Sequence, residues 1–308
     1  MAEFEFINWL AAELKAKHPP NRALTIGLGD DTALLPPAPH GTLLAADMIM
    51  DGVHFDLKKS GPQLAGRKAL AANLSDIAAM AGTPTSVTVC LALPRIGGEQ
   101  LAKEVMRGML PLAEQFGVAI AGGDTNSWNG PLVISVTITG TPHEHGSVQR
   151  SGAKPGDWIC VTGDLGGSIT SKHLNFTPRV DEAKTLHKQF GLSAMLDLSD
   201  GLGSDLRHIL RASGLGAIIS RTMIPISAAA IDVAQQSGKT ALDHALSDGE
   251  DFELCFTLPP AAGAALIQAQ PFGPSLGVHK IGEITQATGL YWDDGTPVTA
   301  TGYIHQMK

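Results

Sequence analysis

Gly117-Val118-Ala119-Ile120-Ala121-Gly122-Gly123-Asp124-Thr125, residues 117–125, reads as a short apolar strand that stops at a small-residue turn and presents a carboxylate there. Upstream, Leu101, Val105, Met109, Leu112 and Phe116 recur at helical spacing, so a core-facing helix leads into that strand. The same ending recurs elsewhere: Asp47 follows Thr42-Leu43-Leu44-Ala45-Ala46, Asp76 closes Asn73-Leu74-Ser75-Asp76, and Asp197-Leu198-Ser199-Asp200-Gly201 and Gly29-Asp30-Asp31 repeat it. Helices alternating with strands that end in acid describe a mixed α/β protein whose carboxylates gather at one rim of a sheet. Like charges held within a few ångströms raise one another's pKa, so the set stays ionised only around a cation. Magnesium, a hard ion that bridges carboxylates to phosphate oxygens, fits that demand.

A length of 308 residues leaves room for two domains, each with its own core. Hydrophobic content of 44% against 17% charged describes a globular chain, and no apolar run reaches the length a bilayer requires. The start, Met1-Ala2-Glu3-Phe4-Glu5, carries acid where a signal peptide carries Lys or Arg, which points to a cytoplasmic protein. Cys90, Cys160 and Cys255 are odd in number and far apart, fitting reduced buried thiols better than disulfides or zinc. A formal charge of −8 excludes a nucleic-acid partner in ordinary terms and admits a nucleotide only through metal ions.

Period and punctuation predict helices near 3–17, 62–81 and 101–116 and strands near 42–47, 86–93, 117–121 and 132–140. A break of Gly, Pro and charge, Arg150-Ser151-Gly152-Ala153-Lys154-Pro155-Gly156-Asp157, precedes a fresh strand at 158–162. The domains are therefore expected at 1–148 and 149–308. The second should hold helices near 181–190, 201–213, 227–236 and 260–268 and strands near 194–197, 216–219, 253–257 and 278–284.

Neither common nucleotide motif is present. Gly238-Lys239-Thr240 has Val233 where a phosphate loop needs its first glycine and follows a helix instead of a strand; Gly27-Leu28-Gly29 lacks the third glycine of a dinucleotide fingerprint. The distributed aspartates remain. Taken singly, each residue has a plainer use. Asp30 and Asp31 suit a turn, Ser199 or Asp200 suits the N-cap of the helix beginning near Leu202, Asp76 suits a solvated helix face, and His54 suits a structural hydrogen bond. The joint pattern is stronger than its parts.

Six ordered motifs carry a family likeness: Asp47 with Gly52-Val53-His54-Phe55, Ala72 to Met80, Gly122-Gly123-Asp124-Thr125, Arg150 to Asp157, Asp197 to Leu202, and Gly249-Glu250-Asp251-Phe252-Glu253-Leu254. From about residue 25 to the last strand the chain resembles thiamine-monophosphate kinases. The resemblance implies the two-domain fold of aminoimidazole ribonucleotide synthetase, with N-terminal domains pairing strands across a homodimer. It implies transfer of the γ-phosphoryl of ATP to thiamine monophosphate, giving thiamine diphosphate and ADP. Carried over position by position, it implies that Asp30, Asp31, Asp47, Asp76, Asp124, Asp197 and Asp200 hold several Mg2+ ions. Gly123, Asp124, Arg150 and Ser199 would touch ATP, and His54, Glu250 and Tyr303 would hold the thiamine phosphate.

The chemistry suits such residues. A phosphate monoester, with a second pKa of about 6, is already an ionised nucleophile at neutral pH, so no general base is needed. The demand is positioning and charge neutralisation. The chain departs from the family at Ala45-Ala46, where hydroxyl residues are usual, at Asp248, where glycine is common, and in a short linker at 173–179. Two alternatives stay open. One is another ATP-using synthetase of the same fold; a selenophosphate synthetase is disfavoured because its reactive Cys lies near the N-terminus, whereas Cys90 falls in a strand of the expected core. The other is a non-catalytic magnesium–nucleotide sensor.

Overall fold

A computed structural model describes residues 2–17, 24–25, 32–33 and 35–303 of the chain. Asp30 and Asp31 lie outside the described residues. The chain divides into two compact units, 1–77 with 82–142, and 78–81 with 143–308. The division thus falls six residues before the expected boundary, because the sheet of the first unit ends in the strand Val133–Thr141 and the loop beyond it already belongs to the second.

The first unit contains α1 (Ala2–Lys17), β1 (Leu43–Met50), α2 (Leu57–Ser60), α3 (Pro62–Ala79), β2 (Thr83–Pro94), α4 (Gly98–Gln115), β3 (Ala119–Trp128) and β4 (Val133–Thr141). Its sheet runs β1-β4-β2-β3, antiparallel except for the β2–β3 pair. Alternation along β4 sends Ile134, Val136 and Ile138 into the core and leaves the intervening residues toward the other face, the period-2 signature of a sheet covered on one side. Of the expected stripe Val105, Met109 and Leu112 are buried, with Ala102 and Met106 beside them, while Leu101 and Phe116 at its two ends are partly buried. The uncovered face includes Leu44 and Met48, 71% and 55% exposed, together with Cys90. Cys90 is therefore an exposed thiol and not a buried one: it sits in a core strand but on the strand's open side. Cys160 and Cys255 are buried free thiols, as expected.

The second unit contains β5 (Trp158–Thr162), α5 (Val180–Phe190), β6 (Ala194–Asp197), α6 (Leu202–Ser213), β7 (Gly216–Ile219), α7 (Ala228–Ser237), α8 (Ala241–Ser247), β8 (Leu254–Leu258), α9 (Pro260–Ala269), β9 (Val278–Thr285) and β10 (Gly289–Trp292). Its sheet order is β10-β7-β9-β5-β8-β6, with only β10–β7 parallel. Leu202, Leu206, Ile209 and Leu210 of α6, spaced one and two turns apart, pack on Ile159, Val161, Leu196 and Cys255 in one continuous core. Burying such side chains contributes roughly 1.5–3 kcal/mol each, which fixes α6 and so fixes the loop that precedes it.

Candidate functional site

Each unit assembles its own group of the expected residues. In the first, Asp47 on β1 and Asp76 on α3 meet, their side chains in hydrogen-bonding contact. Burial raises the Asp47 pKa above the ordinary carboxylate value, and the contact with Asp76 offsets part of that rise. Two carboxylates hold such a contact only with a proton or a cation between them. Next to them the chain turns after β1. Met50 N–H donates to His54 Nδ1 at 3.1 Å, Leu57 N–H donates to Asp51 Oδ1 at 2.9 Å, and the almost fully buried Lys68 donates to the His54 carbonyl at 2.7 Å. The His54 ring therefore has the structural bond that a bland reading assigns to it, and that bond fixes its orientation.

Gly123 and Asp124 lie on β3, at the far edge of the same sheet. Asp47 and Asp124 are separated by three strand spacings, about 14 Å. Register puts Asp47, Val136, Val89 and Gly123 in one row and Met48, Ser135, Cys90 and Asp124 in the next. Asp124 thus belongs to the open face and Asp47 to the covered one. Gly123 is required by close approach: a Cβ there would lie 1.8 Å from the Val89 carbonyl oxygen. Just beyond, a cavity of about 270 Å³ opens beside Phe6, Arg95, Glu99, Thr125 and Asn126.

In the second unit the expected residues converge on one loop. Asp197 ends β6, and Ser199 and Asp200 follow before Gly201 starts α6. The Glu250 N–H donates to the Ser199 carbonyl at 2.7 Å, the Phe252 N–H to the Leu198 carbonyl at 2.8 Å, and the Tyr303 N–H to the Asp200 carbonyl at 2.9 Å. Glu250 and Tyr303 are therefore stitched by backbone to the Asp197–Asp200 loop. The stitching has a conformational cost. Gly249, Glu250 and Phe252 all have positive φ, +72°, +59° and +49°, a region that side chains other than glycine avoid and that persists only when surroundings over-determine it. Arg150 is exposed; burial, with the Arg150 charge added, holds the His208 imidazole on α6 below its ordinary pKa.

What over-determines this loop is a set of buried acids that sequence reasoning did not assign. Asp205, in the first turn of α6, accepts the Asp200 and Gly201 N–H groups at 3.0 Å each; burial, with repulsion from Asp200 and Asp197 added, pushes its pKa up to about 7. Asp251 accepts the Gly166 N–H and the Ser168 hydroxyl, and burial pushes it up to about 6. Glu253, 1% exposed, accepts from Thr162 Oγ1 at 2.8 Å, Lys172 Nζ at 2.7 Å, and Arg179 Nε and Nη2 at 2.8 and 2.7 Å. Burial opposes its charge, yet Arg179 and Lys172 hold its pKa below the usual range. Phe176 stacks on Phe252 with ring centroids 4.1 Å apart, and His173 Nδ1 stands 3.9 Å from Glu250 Oε2. Asp248, where the family favours glycine, accepts the Gly167 N–H at 3.0 Å. Of the acids in Asp248-Gly249-Glu250-Asp251-Phe252-Glu253, three brace the loop and Glu250 is carried by it. The only sequence signal for Asp205 was its place in a first helical turn, where an acid meets free N–H groups.

Among the described residues, no group of three or more His, Cys, Asp or Glu side chains is close enough to cage a metal ion within the chain. The aspartates occur instead as the Asp47–Asp76 pair, as Asp124, and as the Asp197–Asp200 loop.

Comparison with known proteins gives a consistent answer. Residues 29–141 match the family model described as AIR synthase related protein, N-terminal domain. The chain is 40% identical over 294 residues to a thiamine-monophosphate kinase of Rhodopirellula baltica, covering 92% of each protein. It superposes on the crystal structure of a thiamine-monophosphate kinase from Stenotrophomonas maltophilia with a TM-score of 0.81 and 32% identity, over 97% of this chain and 98% of that one. It likewise superposes on AaThiL complexed with AMPPCP and TMP, with a TM-score of 0.77 and 28% identity, over 99% and 97%.

Proposed function

The chain belongs to the thiamine-monophosphate kinase family and has its AIR synthase-like fold, and from that premise we propose that this kinase passes the γ-phosphoryl group of ATP to the phosphate of thiamine monophosphate, giving thiamine diphosphate and ADP by direct in-line transfer. The observation that carries the reading is the loop of the second unit, where Asp197, Ser199, Asp200, Glu250 and Tyr303 are bound into one surface by three backbone hydrogen bonds.

The acceptor, a phosphate monoester, arrives already ionised, so no residue need act as a general base. Glu250 offers a carboxylate and Tyr303 a half-exposed ring to a cationic thiazolium, which a π face attracts. His54, its ring oriented by the Met50 N–H, would donate to the acceptor phosphate. Arg150 and Ser199, both exposed, and Gly123, whose backbone runs against β2, contact ATP.

The donor set suits Mg2+. The Asp47–Asp76 contact is a pair of hard oxygen ligands that a cation can join in place of a shared proton, and aspartates dominate the remainder. Asp30, Asp31, Asp47, Asp76, Asp124, Asp197 and Asp200 would hold several ions, whose charge offsets the repulsion between two approaching anions. β1 and β3 are the edge strands of the first unit's sheet, a feature that supports a homodimer in which a second copy extends the sheet. No helix among the described residues is long and apolar enough to cross a membrane, and a cytoplasmic location accords with the free thiols.

A coupled ADP-release assay with thiamine monophosphate and with free thiamine, at matched concentrations, tests the reading. ADP should appear with the monophosphate alone; equal release with both, or with neither, overturns it.

A further inference from the structure

Behind the strained loop, Ser237, His244 and Asp248 form a hydrogen-bonded line that phosphoryl transfer does not use. Ser237 Oγ lies 2.7 Å from His244 Nε2, and His244 Nδ1 lies 2.8 Å from Asp248 Oδ1. His244 is 5% exposed, whereas Ser237 is exposed at the C-terminal end of α7. A carboxylate beside Nδ1 fixes the tautomer: Nδ1 carries the proton, Nε2 carries the lone pair, and the Ser237 hydroxyl is the donor. That is the polarity of a serine activated by a base which is itself oriented by an acid.

Each member is independently anchored. Asp248 is held by the Gly167 N–H at 3.0 Å. His244 rides on α8, whose start is fixed by a capping box between Thr240 and Asp243. Gly238, at φ +73°, turns the chain so that the Lys239 N–H points back at Ser237 Oγ from 3.3 Å. The segment Gly238-Lys239-Thr240, which fails as a phosphate loop, thus shapes the surroundings of a serine.

We infer that Ser237 is a base-activated nucleophile, a site that accepts an acyl or phosphonyl group from an activated electrophile. With an aryl ester, the Ser237 Oγ–C bond forms as its O–H proton passes to His244 Nε2. The ester C–O bond then breaks, and the departing phenolate takes the electron pair and the proton from Nε2. Asp248 steadies the imidazolium in between. The Lys239 N–H donates to Ser237 Oγ itself and not to the position of a developing oxyanion, so a single slow acylation is expected and not rapid turnover.

The test treats the full-length protein with a biotinylated fluorophosphonate, in which Oγ–P forms and fluoride leaves, and locates the adduct by peptide mass spectrometry. One adduct on Ser237 is expected, lost in Ser237→Ala and slowed about tenfold or more in Asp248→Asn, with circular dichroism confirming that both variants are folded. Should Asp248→Asn unfold, Ser237→Ala alone decides. No adduct, an adduct that survives Ser237→Ala, or equal labelling of heat-unfolded protein overturns the inference and leaves the line as a strap between α7 and α8.

Discussion

The two units treat their carboxylates in opposite ways. In the first, Asp47 is pressed against Asp76 on the covered face of a sheet while Asp124 stands at the opposite edge on the open one. The contact that Asp47 makes there is with another acid, and burial raises its pKa. In the second, Glu253 takes two cations and a hydroxyl, and Asp205 and Asp251 each take backbone N–H groups. The contrast teaches that one half builds a rigid loop from acids matched to donors, while the other presses one buried acid against a second. Substituting an acid should therefore have opposite effects on stability in the two halves.

The largest effect is expected at Glu253→Gln. Removing one partner of a buried ion network leaves Arg179 and Lys172 without their counter-charge, a loss of about 3–5 kcal/mol. Chemical denaturation would read it, and a loss below about 1 kcal/mol would erase the contrast. Asp47→Asn should do the reverse. Without divalent ions it should match or exceed the wild type in stability, since a desolvated charge beside Asp76 is gone, yet phosphoryl transfer should fall about 100-fold or more. A destabilised but active Asp47→Asn would break the comparison.

Next in size is a pH effect. Asp205 is raised in the folded state from 3.8 to about 7. Below pH 4 both folded and unfolded forms hold the proton; between about 4 and 7 the unfolded chain releases it first, so the fold binds more protons and loses stability as pH rises. Asp251, raised to about 6, acts in the same direction over a narrower window. Asp205→Asn keeps an acceptor for the Asp200 and Gly201 N–H groups and should flatten the decline; melting curves at several pH values in EDTA would show whether it does. The smallest effect belongs to His54→Ala, which should weaken acceptor binding about tenfold while sparing Mg-ATP. Calorimetry with each ligand checks it, and the reverse pattern would move His54 to the nucleotide.

Much of the fold was legible because it is written locally. The apolar stripe of α4 and the strand Trp158–Thr162 stand where period and punctuation put them. Three elements were not: α2 and α8, four and seven residues long, are too short for a helical period to register, and β10, four residues long, exists by pairing with β7. β3 runs on to Trp128 although its Gly and polar tail reads as a turn, because residues 88–94 of β2 offer it a partner. Cys90 shows the same limit, since the strand is readable but the covered face is not. At the candidate site the individual acids were legible, but not their grouping as the Asp47–Asp76 pair, Asp124 and the Asp197–Asp200 loop. Which of them brace and which face solvent was not legible either, because Glu253 finds Arg179 across 74 residues and Asp251 finds Gly166 across 85.

The central claim is that the chain's aspartates accept nucleotide only through divalent cations. Calorimetric titration of the protein with ATP, once in excess Mg2+ and once in EDTA, tests it most directly. Saturable binding in Mg2+ that vanishes on chelation is the predicted result; equal affinity in the two buffers would contradict it.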